Sequence, residues 1–143
     1  MASLASLEAH AEPEAVDLAR RILEHSASSR AWTSQVGPAL TQSDTARLLR
    51  KTTQAVCKDR RLLKVVNSDG RPVYPIVQFD GRSQVDGVDQ VVALLGALLE
   101  PLGVAGWLTS KSRELGARPI DCLRAGEVEP VVELARAVSR RLA

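Results

Sequence analysis

From Leu40 onward, apolar residues recur at helical spacing in short stretches separated by tight polar breaks. The stretch LTQSDTARLLRKTTQAVCKDRRLL predicts two short helices broken around Arg50 and Lys51. Thr41 or Ser43 can cap the first, whose buried stripe is Ala46, Leu48 and Leu49, and Thr52 or Thr53 can cap the second, with Val56 facing inward. Two capped short helices in tandem predict a helix-turn-helix. In the following LLKVVNSDGRPVYPIVQF, β-branched residues flank Asn67-Ser68-Asp69-Gly70, a hairpin signal. Pro72 and Pro75 restrict its second strand to a sheet edge or a short length, because proline donates no backbone hydrogen bond. A helix pair followed by a hairpin has the outline of a winged helix.

After a loop around Asp80-Gly81, the pattern is helical to the end. Residues Val85 to Leu99 place Val88, Val91, Val92, Leu95, Leu98 and Leu99 on one wide apolar face, ended by Pro101 and Gly103. Gly103 to Thr109 predicts a short helix in which Trp107 anchors the core. Pro119 opens another over Ile120, Leu123 and Ala125, closed by Gly126. The last helix carries Val128, Val131, Val132, Ala135, Val138 and Leu142 on one side, and Glu129, Glu133, Arg136 and Arg140 on the other. At the other end of the chain, Pro13 can start a one-striped helix with Val16, Ala19, Ile22 and Leu23. The stretch from Ser26 to Pro38 reads as a linker, pinned by Trp32.

Charge adds a functional hint. The net charge of +2 hides an uneven distribution: residues 41–75 hold eight Lys or Arg against three Asp, a local balance of +5. The flanking stretches are slightly acidic, with three basic against five acidic residues in 1–40 and eight against nine in 76–143. One segment alone is therefore suited to a polyanion. Within it, Thr52, Thr53, Gln54 and Lys58 lie on the second short helix, Arg60 and Arg61 at its exit, and Arg71 at the tip of the wing. Short polar side chains and amides can read base edges, while Arg and Lys neutralise phosphates. These seven residues are the candidate DNA contacts. A homodimer is expected, since helix-turn-helix proteins commonly read two half-sites.

Enzyme chemistry finds no support. His10 and His25 lie in the N-terminal region, far in sequence from Cys57, Asp121 and Cys122, and there is no phosphate-binding glycine loop, HExxH or nucleophile elbow. The sequence predicts no catalysis and no cofactor. Cys57 and Cys122 show no metal-ligand spacing, and Cys122 sits in an apolar step that predicts burial. The longest uncharged apolar run, Val91 to Leu99, is far below the roughly 20 residues of a membrane span. With no signal-peptide pattern in MASLASLEAHAEPE, a cytoplasmic protein without membrane contact is expected.

The C-terminal half carries an ordered set of short motifs: Trp107-Leu108, a polar loop, Leu115-Gly116, Pro119-Ile120-Asp121-Cys122-Leu123, Gly126-Glu127, and Val131-Val132 in a valine-rich last helix. In order and spacing this set resembles the toxin-binding domain shared by Xre, MbcA and ParS antitoxins, over about 40 residues directly. The front half is closer to small bacterial winged-helix regulators. The resemblance implies a type II antitoxin that blocks the NAD pocket of a cognate RES-domain toxin, an NAD-consuming or ADP-ribosylating enzyme, and that represses its own operon by binding operator DNA. Carried over by position, the toxin-binding residues would be Lys111, Arg113, Arg118, Arg136, Arg140, Arg141, Leu142 and Ala143. The alternative is a stand-alone winged-helix transcriptional regulator whose C-terminal domain dimerises.

The expected architecture is thus mainly α. An N-terminal helix and linker (1–37) precede a helix-turn-helix with a small β-hairpin wing (38–80), followed by a helical toxin-binding-type domain (82–143).

Overall fold

The structure, a computed structural model, describes residues 36–143. The helix expected around Pro13 to Leu23, His10, His25 and Trp32 lie outside the described residues. Strand β1 (Ala39–Thr41) leads into α1 (Gln42–Leu49) and α2 (Thr53–Lys58). Next come β2 (Val65–Val66), β3 (Pro72–Pro75), a 3-10 turn (Ile76–Gln78), β4 (Phe79–Asp80) and β5 (Ser83–Gln84). Four helices complete the chain: α3 (Val88–Leu95), α4 (Pro101–Thr109), α5 (Pro119–Arg124) and α6 (Val128–Leu142). The described part is mainly helical, with one three-stranded and one two-stranded antiparallel sheet.

Local chemistry sets the first boundaries. Thr41 Oγ1 accepts the Asp44 N–H at 3.1 Å and caps α1, and Thr52 Oγ1 accepts the Ala55 N–H at 3.1 Å and caps α2. Of the cap pairs offered by the sequence, Thr41 and Thr52 do the work, and Thr53 is the first helical residue. Helix α1 ends where Arg50 adopts the left-handed conformation, φ 56° and ψ 46°, and the Lys51 N–H closes back on the Ala46 carbonyl at 2.9 Å. The hairpin forms around Asn67, whose Oδ1 accepts the N–H groups of both Asp69 and Arg71 at 3.0 Å.

Strand β3 lies at the centre of the sheet, between β1 and β2, and is short. Its prolines occupy its two ends, opposite Val66 and Ala39, so Val73 and Tyr74 supply its backbone donors. Strand β1, unforeseen in the sequence, covers the edge that β3 would otherwise expose.

The helix expected over Val85–Leu99 is shorter. It ends at Leu95, with Gly96 at its C-cap, and the Leu98 and Leu99 N–H groups both turn back to the Leu95 carbonyl. Leu98 therefore leaves the buried face and is 42% exposed. Pro101 begins α4 as its first residue, two positions before the expected start at Gly103. Ala125 and Leu142, expected on buried faces, are exposed because each sits at or beyond its helix's last turn. Helix α3 packs along α6, and its N-cap Gly87 (φ 92°) is buried. A Cβ there would stand 2.7 Å from Leu123 Cδ2 and 3.0 Å from Val128 Cγ1.

Two main apolar clusters result. One joins Leu40, Leu48, Val56, Tyr74, Ile76 and Phe79 beneath α1, α2 and the sheet. The other is the helical core of α3 to α6, into which Val36 and Leu63 also insert, with Trp107 packed on it half-buried. Two polar side chains tie these regions. Gln78, fully buried, accepts the Leu63 N–H at 2.8 Å and donates to the carbonyls of Leu63 at 2.8 Å and Pro75 at 3.1 Å. Arg124 reaches from α5 to donate to the Val77 and Phe79 carbonyls at 2.6 and 3.1 Å.

Candidate functional site

Helix α2 buries only Val56, so Thr52, Thr53, Gln54 and Lys58 all face solvent. The pattern is that of a helix held by one apolar contact and its cap, with its polar side chains left for something else. Gln42 Nε2 donates to the Thr53 carbonyl at 3.3 Å, fastening α1 to the start of α2.

The two arginines at the exit of α2 differ. Arg60 is exposed with no ion pair among the described residues, whereas Arg61 is folded onto Asp59. Asp59 Oδ1 accepts the Arg61 backbone N–H at 3.0 Å and Nε at 3.1 Å, and Oδ2 accepts Nη2 at 3.1 Å. Lys51 Nζ approaches the same carboxylate at 3.7 Å. These contacts, the Arg61 side-chain hydrogen bonds foremost, hold the Asp59 carboxyl below the usual range against its partial burial. The net +5 already counts Asp59; what its pairing changes is availability, since Lys51 and Arg61 are engaged by that acid. Arg71 stands exposed at the base of the hairpin loop. Three further exposed cations in the same stretch of chain, Arg47, Arg50 and Lys64, were not singled out from the sequence. Only the regional charge count contained them.

The second surface is C-terminal. The loop from Ser110 to Arg118 is shaped around Ser112, whose N–H donates to the Ala117 carbonyl at 3.0 Å and whose carbonyl accepts the Gly116 N–H at 2.8 Å. The Ser112 hydroxyl meets Glu114 Oε2 at 3.1 Å. Between this loop and α6 lies a shallow depression of about 210 Å³, lined by Trp107, Lys111, Arg113, Glu114, Val138 and Arg141. The Glu114 carboxyl is held low by hydrogen bonds to its own backbone N–H and to Ser112, with a smaller part from the charges of Arg141 and Arg113.

Of the residues proposed from the resemblance, the fold thus brings Lys111, Arg113 and Arg141 to one depression. Arg118 is extended, as a residue before proline should be, but its guanidinium is fixed on Asp121 at 2.8 and 2.9 Å. Arg136 pairs with Glu133 at 2.6 Å one turn along α6, while Arg140, Leu142 and Ala143 are exposed at its tip. Cys122 is buried, and burial pushes its thiol up, away from a reactive thiolate. A polar cleft of about 540 Å³, lined by Lys51, Asp59, Arg61, Arg82, Asp86 and Asp89 among others, was not foreseen. Its residues come from distant turns, so no local motif marks it.

Among the described residues no cluster of His, Cys, Asp or Glu could hold a metal ion, and no helix is long and apolar enough to cross a membrane. No family model matches the chain, and no curated protein does. Among solved structures, the chain is similar to the NMR structure of Rv2175c, with a TM-score of 0.62 and 23% identity. The superposition covers 71% of this chain and 81% of the other, and at that identity the likeness is one of fold.

Proposed function

We propose that the chain is a DNA-binding antitoxin: residues 38–80 act as a winged-helix-like unit on duplex DNA, and residues 82–143 dock a RES-domain toxin. The observation that carries the DNA-binding part is the surface of α2, where every polar side chain is exposed around one buried valine. The same stretch of chain carries Arg47, Arg50, Lys58, Arg60, Lys64 and Arg71, all exposed and none of them in an ion pair among the described residues. A short helix wholly given to solvent on its polar side, beside a hairpin and free cations, suits phosphate neutralisation with base-edge contacts. In this reading Thr53, Gln54 and Lys58 face the groove, Arg60 and Arg71 meet phosphates, and Arg61 serves through Asp59 to fix the exit of α2.

The docking part is supported by the depression beside Trp107, where Lys111, Arg113 and Arg141 converge on the exposed end of α6. Arginines so placed can pair bidentately with carboxylates lining a nucleotide pocket, and the action is steric occupation.

Fluorescence anisotropy on a duplex from upstream of the protein's own gene tests the first part. Binding should weaken steeply with salt, and K58E/R60E should weaken it broadly and flatten the salt slope. Absence of binding by the wild type at low salt refutes the DNA-binding reading. Co-expression with a RES-domain toxin encoded beside the gene tests the second: neutralisation lost in R113E/R141E supports it, and a toxin that stays fully active beside the wild type refutes it.

A further inference from the structure

Among the described residues, Arg50 is the one residue other than glycine with positive φ. Its backbone task is plain: at the end of α1 its N–H turns back towards the carbonyls of Ala46 and Arg47, and the chain reverses into α2. Glycine performs that task without the clash that a Cβ brings in the left-handed region, and glycine is the residue usually found there. The side chain of Arg50 offsets nothing of this within the molecule, being exposed and without a hydrogen bond or ion pair among the described residues. Its neighbour Lys51 differs, since it is drawn to Asp59. A conformational cost kept without a local return points outward, to a ligand.

We propose that Arg50 is a phosphate contact: its guanidinium, set on the turn two residues before the α2 cap Thr52, binds the backbone of the nucleic acid that α2 meets. The inference rests on the DNA-binding reading and adds to it a residue in the turn, outside both helices. It predicts that the residue best for folding and the residue best for binding differ at this one position.

The test compares wild type with Arg50→Gly, Arg50→Ala and Arg50→Lys by thermal unfolding and by duplex-DNA anisotropy over a range of salt. Arg50→Gly should melt higher than wild type yet bind DNA about eightfold more weakly at 0.1 M salt, with a log–log salt slope smaller by about 0.9, as removal of one phosphate contact requires. Arg50→Ala should lose the same affinity without the thermal gain, and Arg50→Lys should keep most of both affinity and slope. Wild-type binding with an unchanged affinity and slope in Arg50→Gly overturns the contact while leaving the DNA-binding reading intact. A lower melting temperature in Arg50→Gly overturns the premise that the arginine is a conformational burden. Failure of the wild type to bind the duplex removes the DNA-binding reading, and this contact with it.

Discussion

Replacing Gln78 by methionine isolates the polar clamp at the junction of the sheet and the helical core. The two side chains are similar in length and volume, so little cavity or overpacking is introduced. What disappears is the set of partners for three backbone groups: the Leu63 N–H, the Leu63 carbonyl and the Pro75 carbonyl, each now within 2.8 to 3.1 Å of the Gln78 amide. A buried backbone group left without a partner costs about 1–3 kcal/mol; taken near the lower end, the three together cost about 4 kcal/mol, the added apolar burial returns about 1 kcal/mol, and the net loss is about 3 kcal/mol. For a domain of this size that corresponds to a fall of roughly 10 °C in Tm. Urea unfolding followed by circular dichroism reads it directly: the midpoint should drop while the slope m holds, since the surface exposed on unfolding is nearly the same. Gln78→Glu should be at least as damaging at neutral pH, because its second oxygen would face two carbonyls as a charge. A methionine variant within about 0.5 kcal/mol of wild type would refute the reasoning, since it would mean that those groups find water in the folded state.

Two more variants probe the same physics. Asp59→Asn should lower stability by about 0.5–1 kcal/mol at neutral pH, as charge-assisted hydrogen bonds to the solvent-screened Arg61 weaken. Because the folded carboxyl titrates below its unfolded value, this stabilisation is complete above about pH 4 and is lost as pH falls through the folded pKa, so the gap between wild type and variant measured by urea titration should close in acid. A gap that widens in acid would contradict the clamp. Gly87→Ala should cost about 2 kcal/mol or more, from both the positive φ and the 2.7 Å approach to Leu123, and a melting curve superimposable on wild type would contradict the packing of α3 on α5 and α6.

Much of this fold is written locally and can be read there. Thr41 and Thr52 act on N–H groups three residues away, Asn67 closes its own loop, and Pro119 starts its own helix. What escaped reading is non-local or short. Strand β1 is three residues long and has no period to detect; it exists because Leu40 finds Tyr74. The end of α3 escaped because Leu98 continues the apolar pattern although Gly96 has already released the helix. On the candidate surfaces, residue types were legible and their availability was not. Arg61 and Arg118 look like free cations in the sequence, but Asp59 and Asp121 lie two and three residues away and capture them. Gln78 and Arg124 look like solvated polar residues, yet both spend their donors on backbone carbonyls from distant turns.

The reach of Arg124 bears on how such a chain can be cut and rejoined. A chimera spliced at Gly81 with an unrelated helical segment would lose the guanidinium that covers the Val77 and Phe79 carbonyls, and Leu63 would lose the helices it rests on. The sheet region and the helical core are therefore to be exchanged together, as one block.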